Sequence, residues 1–544
     1  MLRKIILKLT FYFEIILDFL NWTSYFQKKH LLFQKSFDNH QIALISNLHS
    51  NIASSKVDAI FTIGLRKKNH KIVVLLNKKN IYTQLIYVIL GKVEFIYLED
   101  FIFPEDYKIS KKRVKKIISQ NKNTRSLFNY EENNVRLGRN ALSSTLRKLR
   151  IGSLNFENQQ HIKEIEKNLL LSLNSKVATE RILNYIKPNL LIFIERGYSP
   201  SGELFDNALN MGINVIQYLS GPENNNLIFK SYNSKNKNDH PISIGKDTMK
   251  VLNNLKFDSQ DQKKIIDKIK SNYEDGKWFN RQQLQLGKLI FSPDETRKLL
   301  KVEKGRKVAV IFSHILYDAT FFYGNNIFED YEKWLIETIK FAIDNTNLDW
   351  IIKVHPVNVW RSKMDKKPLE QLELISVKKH IGSLPSHVRF LHADSKVNTY
   401  SLFNLIDYGL TVRGTIGMEL PCWGIPVVTA GTGRYSGNGF TIDPDDIKTY
   451  QQTLENIHNL SKLSKEEILR AQKYVYAVLY GKQIKTNSFK IVNYPNKENS
   501  NFQSNTFVDR RFSNNFLDVD YITDWMVNPI NSDLMSEIFF KKLI

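Results

Sequence analysis

Short apolar runs of four to six residues alternate with stretches of helical periodicity twice along this chain, and a charged helical segment separates the two series. Runs of this length, buried on both faces and joined by helices, are the signature of a parallel sheet built from βαβ units. The first series reads as strands at 42–46, 71–76, 93–98, 190–195 and 214–219, with helices at 160–186 and 203–211. The second reads as strands at 307–312, 350–354, 388–391, 408–412 and 425–429, with a helix at 331–343 and another opening at Thr415. The polar stretch 224–239 is expected to be a loop, 247–283 a helical connector, and 464–480 and 532–542 closing helices.

The expected fold class is therefore α/β, with two sheet domains facing a cleft and helical N- and C-terminal extensions. The boundaries read from the sequence are an amphipathic N-terminal helix at 1–30, a first α/β domain at 31–240, a connector at 241–300, a second α/β domain at 301–462, and C-terminal helices and tail at 463–544. Hydrophobic residues at 42% against 24% charged exclude a mainly disordered chain. No repeat of solenoid length is present.

The formal charge of +23 points to an anionic partner, or to compositional drift in a chain rich in Lys, Asn and Ile. Its distribution is uneven, because residues 1–150 hold 27 Lys/Arg against 11 Asp/Glu. No zinc-finger spacing, RNP-type aromatic motif or basic zipper accompanies this excess, which argues against nucleic acid as the partner. Within residues 1–26, Leu2, Ile5, Ile6, Leu9, Phe13, Ile16, Leu17 and Leu20 recur at helical spacing, while Lys4, Lys8, Glu14 and Asp18 deny the stretch a membrane span. The stripe fits either an anionic membrane surface or the protein's own core. The lone Cys422 forms no intrachain disulfide, fits a reducing, cytoplasmic setting, and is flanked by apolar residues as a small buried hydrophobe is.

Candidate site residues gather at the carboxyl ends of strands in the second series. Arg413-Gly414-Thr415-Ile416-Gly417 turns from strand 408–412 towards Glu419, and a second glycine loop, Gly431-Thr432-Gly433-Arg434, follows strand 425–429. Free N–H groups at such a turn, approached closely through glycine, suit a phosphate; tight packing is the alternative use of the same glycines. Lys353-Val354-His355-Pro356 leaves another strand, and Ser313-His314 with Asp318 a third. A base would come from across the cleft, where His49, Glu195 and Glu203 sit near strand ends. No Asp-x-Asp motif stands at a strand end, and no metal ligand or cofactor is expected.

Val308-Ala-Val-Ile-Phe-Ser-His314, Trp350-Ile-Ile-Lys-Val-His-Pro356, and Arg413-Gly-Thr-Ile-Gly-Met-Glu419 through Gly424-Ile-Pro-Val427 to Asp443 resemble the capsular polysaccharide biosynthesis proteins. These are related to bacterial Kdo transferases and other His-Pro glycosyltransferases of the two-Rossmann GT-B architecture. The resemblance covers roughly residues 300–445 and extends faintly over 180–222, around Glu195-Arg-Gly-Tyr198. It implies a GT-B glycosyltransferase binding a nucleotide sugar, with a CMP-activated, Kdo-like donor among the candidates. His355 would meet the phosphate, Glu419 the ribose, and Thr415 and Gly417 would cradle phosphate. The acceptor would be a surface polysaccharide or its lipid carrier, with the enzyme in the cytoplasm or peripheral on the inner face of the membrane. A nucleotide-sugar epimerase, a polyol-phosphate transferase and a non-catalytic assembly scaffold share related folds and remain alternatives.

Overall fold

A computed structural model describes residues 2–26, 41–49, 51–276, 284–366, 368–494, 504–509 and 516–537. Two sheets organise it. The first holds β1 (Gln41–Ser46), β2 (His70–Leu76), β3 (Glu94–Tyr97), β4 (Leu190–Phe193), β5 (Asn214–Ser220) and β6 (Asn226–Tyr232). The second holds β7 (Lys307–Phe312), β8 (Leu348–Lys353), β9 (Val388–Leu391), β10 (Tyr408–Thr411) and β11 (Val427–Thr429). After helix Lys465–Tyr476 the chain returns to the first sheet through β12 (Ile484–Lys485), then forms a hairpin of β13 (Phe489–Asn493) and β14 (Ser504–Val508).

The first sheet has the order β12-β6-β5-β4-β1-β2-β3 and the second β11-β10-β7-β8-β9. Within these two sheets all pairings are parallel except those of β6 with β5 and β12. This is the two-domain α/β architecture of the GT-B type. Central strands such as β1 and β4 are apolar on both sides because helices cover both faces. Helices Ile52–Lys67 and Leu517–Val527 cover one face of the first sheet, and Gln159–Ile186 and Ser201–Asn210 the other. Helices Ser259–Glu274 and Lys465–Tyr476 cover one face of the second sheet, and Tyr331–Asp344 and Ile447–Glu455 the other.

Two sequence expectations are corrected, and the helix expected to open at Thr415 is present in a short form. Residues 226–232, expected within a polar loop, form β6, because Leu227, Ile228 and Phe229 are buried between the two cores while Asn224 and Asn225 lie at the turn before them. The helix opening at Thr415 is one turn long, Ile416–Glu419, since Pro421 forces the tighter turn Leu420–Trp423. Residues 532–536 are not helical, and of the expected closing helix only Glu537 is described as helical. Asp533, buried, accepts from Lys482 (2.6 Å), Lys230 (3.0 Å) and the Gly245 amide (2.6 Å), which fixes this segment in an extended form. Residues 538–542 of that expected helix lie outside the described residues.

Strand order fixes where a ligand can enter. Neighbouring strands that continue in opposite directions across the sheet leave a crevice at their carboxyl ends. In the first sheet that switch lies between β1 and β4, which end just before His49 and Glu195. In the second it lies between β7 and β10, which end just before Ser313 and Arg413. The two crevices face each other. The Tyr198 hydroxyl donates to Asp318 Oδ1 (2.9 Å), Ser153 Oγ to Asp330 Oδ2 (2.6 Å), and the His240 amide to the Gly433 carbonyl (2.7 Å) across the gap.

Candidate functional site

Between the domains lies a cavity of about 780 Å³ lined on one side by His49, Arg147, Arg150, Glu195 and Gln217, and on the other by Asp318, Tyr323, Trp360, Arg361 and Arg434. A second cavity of about 860 Å³ opens in the first domain and is lined by Asn77, Lys79, Asn80, Ser144, Lys148, Asn168, Ser199 and Ser201. Only His49, Arg147, Ile194 and Glu195 line both. The expected catalytic candidates Glu195 and His49 thus stand in the wall between the two spaces.

Glu195 is half-exposed and ion-paired with Arg147 Nη1 at 3.1 Å. Arg147 itself lies 4.3 Å over the Tyr198 ring, so the pair is held rather than swinging free. His49 Nδ1 accepts the Asn51 amide (3.2 Å), which puts the ring proton on Nε2. That Nε2 is buried without a hydrogen-bond partner, 3.9 Å from Asp58 Oδ2, and burial lowers the His49 pKa to about 4. Glu203 lies behind this wall, fully buried. It accepts from Ser199 Oγ (2.7 Å) and Asn140 Nδ2 (3.1 Å), and burial lifts its pKa to about 7.

Three buried arginines without a counter-ion, Arg413, Arg434 and Arg139, influence one another electrostatically, and of these Arg434 lines the cleft cavity. Arg413, 5% exposed, donates only to neutral acceptors, the Asn325 carbonyl (3.1 Å) and Asn326 Oδ1, leaving Nε and Nη1 buried and unpaired. Arg434 Nη2 meets His240 Nε2 at 2.7 Å, and its Nε is buried and unpaired. Arg139, from the first domain, donates to Asn238 Oδ1 (3.3 Å), and its Nε too is buried and unpaired. Burial lowers the pKa of all three, and the charge of Arg413 further lowers that of each of the other two. Adjacent His240 and His314 are held neutral, mainly by burial and in part by these same charges. Buried guanidinium groups from two domains, repelling one another and short of acceptors, carry donors that an anion would satisfy.

The amides of the 413–417 turn are mostly engaged already. His314 Nε2 accepts from Val412 (3.2 Å) and Arg413 (3.3 Å), Thr411 Oγ1 from Gly414 (3.1 Å), and the Gly414 carbonyl from Gly417 (3.1 Å). A Cβ on Gly417 would lie 1.9 Å from the Tyr435 hydroxyl, which itself donates to the Gly414 carbonyl (2.7 Å). Gly417 is therefore explained by the tyrosine packed on it. Gly431, Thr432 and Gly433 run against residues 324–327, with Thr432 N–H on the Asn325 carbonyl (2.9 Å). A Cβ on Gly433 would meet Gly324 Cα at 2.6 Å, so two backbones require glycine here. Glu419, one turn beyond Thr415, is 1% exposed and accepts from the Tyr273 hydroxyl on the connector. Its Oε1 is buried without a partner, and burial lifts its pKa to about 7.

Ser313, Lys353 and His355 make a separate cluster around Glu373, which accepts from Ser313 Oγ (2.8 Å), the His355 amide (3.2 Å) and Asn358 Nδ2 (3.0 Å). His355 Nδ1 accepts the Val357 amide (3.2 Å), so Nε2 carries the proton as a donor, and burial lowers its pKa to about 3. Burial brings buried Lys353 down to about 7. This cluster does not line the cleft cavity; Asp318, Arg434 and the pair His49 and Glu195 do. In the sequence, Arg139, Arg147, His240, Trp360 and Arg361 do not stand out as site residues. Their signal is spatial, since residues 100–300 positions apart meet only across the gap.

No family model and no curated protein matches the sequence. Solved structures similar to the chain include the KpsC β-Kdo 2,4 transferase of Thermosulfurimonas dismutans, at 15% identity and TM-score 0.33, covering 55% of this chain and 82% of that one. The UDP-GlcNAc 2-epimerase of Neisseria meningitidis bound to UDP-GlcNAc is similar at 11% identity and TM-score 0.25, covering 80% and 96%. HepE of Anabaena in complex with UDP-glucose is similar at 11% and 0.25, covering 81% and 94%. At these values the site assignments rest on this chain's own residues.

Proposed function

We propose that the chain is a GT-B glycosyltransferase that moves a sugar from a nucleotide-sugar donor to a surface polysaccharide or its lipid carrier. The observation that carries this reading is the group of acceptor-starved guanidinium N–H groups of Arg139, Arg413 and Arg434 at the interdomain gap. A nucleotide phosphate supplies the acceptors they lack, and its charge grows as the sugar departs, when prearranged donors stabilise it most. The Oε1 of Glu419, which lacks a hydrogen-bond partner, would accept from a ribose hydroxyl. Acceptor hydroxyls would enter from the amide- and hydroxyl-rich second cavity, and Glu195 in the shared wall would take the proton as the new glycosidic bond forms.

A thermal-shift panel of CMP-, UDP-, GDP- and CDP-conjugates tests the donor site, because a ligand that binds only the folded state raises its stability. Products distinguish the enzyme classes: transfer requires an acceptor, whereas epimerisation returns an isomeric donor without one. A protein stabilised by no nucleotide would refute the donor site and favour a scaffold.

A further inference from the structure

Helix Leu2–Phe26 has two apolar faces, and among the described residues only one is packed against the rest of the protein. Asp18, Trp22, Tyr25 and Phe26 recur at helical spacing and are buried against helices Ile52–Lys67 and Ile81–Val88. Asp18 accepts from buried Lys56 Nζ (2.6 Å) and from the Tyr82 hydroxyl, and Trp22 Nε1 donates to the Ile86 carbonyl (3.0 Å). Phe13, Ile16, Leu17 and Leu20 occupy the opposite face, 45–61% exposed. The adjoining helix Ile81–Val88 exposes Ile81, Leu85 and Val88 by 42–66%. Because these two helices are pinned together, the seven side chains belong to one fixed structure rather than to a loose tail.

We infer that this paired-helix face docks on an anionic lipid bilayer. An amphipathic helix lies in the interface plane when its apolar face enters the acyl boundary and cations meet the headgroups. Here exposed Lys79 and Lys92 flank the second helix, within a region carrying 27 Lys/Arg against 11 Asp/Glu over its first 150 residues. The only two acidic residues of the first helix are Glu14 and Asp18, and Asp18 is neutralised by Lys56. No helix among the described residues is long and apolar enough to cross a membrane, so the contact is peripheral. Asn77, Lys79 and Asn80, which lead into helix Ile81–Val88, line the proposed acceptor cavity. If the glycosyltransferase reading holds, the same docking brings a lipid-borne acceptor to that cavity; the docking itself does not depend on it.

The test is flotation of the full-length protein with vesicles of phosphatidylcholine alone or mixed with phosphatidylglycerol, at low and high salt. The wild-type chain is expected to float with the anionic vesicles at low salt and to be partly released by high salt. The triple variant Leu17→Ser, Leu20→Ser, Leu85→Ser alters only exposed positions and should lower partitioning at least tenfold with the melting temperature unchanged. Equal partitioning of variant and wild type, or no flotation of either, would overturn the inference. So would a wild-type dimer that the triple variant dissociates, which assigns the face to a second copy of the chain. Nucleotide-induced thermal shifts in the same two proteins report on the cleft alone, so a failure of the donor site and a failure of docking are read separately.

Discussion

Replacing Arg413 with methionine should make the ligand-free protein more stable while weakening its hold on the nucleotide. The side chain loses two hydrogen bonds, to the Asn325 carbonyl and Asn326 Oδ1, and removes two unpaired donors, Nε and Nη1. Each of these four terms is worth about 2 kcal/mol, so they cancel. What remains is the cost of holding a cation out of water in a 5% exposed position, beside Arg139 and Arg434. After relaxation that cost leaves the variant about 1–3 kcal/mol more stable, a rise of about 2–4 °C per kcal/mol for a domain of about 150–250 residues. The bound state moves oppositely, because a charge-assisted bond to phosphate is worth about 1.5–3 kcal/mol, or about 10–150-fold in Kd. Differential scanning calorimetry with and without the stabilising nucleotide reads both effects. Arg136→Met is the control, because Arg136 is paired with buried Asp206 through Nε (3.0 Å) and Nη2. Its loss strands that carboxylate and should destabilise by about 3–5 kcal/mol. An Arg413→Met protein that melts several degrees lower and binds nucleotide like wild type would refute the anion-site reasoning.

Glu195→Gln should leave nucleotide-induced stabilisation intact and lower transfer by about 10²–10⁴-fold; wild-type turnover in product analysis would remove Glu195 from the mechanism. Burial holds the Glu419 proton to about pH 7 in the folded chain, against about 4.5 for a glutamate in water. The folded state therefore binds the extra proton between these values, and stability falls as pH rises from about 4.5 to 7, by about 3 kcal/mol for this group alone. Glu419→Gln should flatten that part of the melting-temperature profile between pH 5 and 8, and an unchanged slope would contradict the assignment. Gly417→Ala should destabilise by at least about 2 kcal/mol by driving Cβ into Tyr435. Denaturant unfolding of Gly417→Ala with Tyr435→Ala should show the two changes coupled, and simple additivity would refute the packing explanation.

Much of the architecture was legible in the sequence because parallel strands covered on both faces must be apolar at every position. β7 and β9 fall at the expected residues 307–312 and 388–391, and helix Gln159–Ile186 ends where Pro188 requires. β6 and β12 escaped notice, the one because its asparagine flanks read as a loop, the other because two residues carry no period. The clustering of candidate residues at strand ends was likewise visible, since a strand's carboxyl end is defined along the chain.

Which of those residues share a space was decided by the tertiary structure. Gly417 and Gly433 look alike in sequence, yet each answers to a neighbour far along the chain, Tyr435 in one case and Gly324 in the other. Glu419 is bound by Tyr273 from the connector, and Arg413 finds Arg139 from the first domain nearby. The charge total, +23, is fixed by composition, whereas which cations lack partners depends on distances between groups hundreds of residues apart. Local propensity and periodicity act over one or two turns, so they specify the elements. Electrostatic pairing and desolvation act through space, so only the folded chain specifies the site.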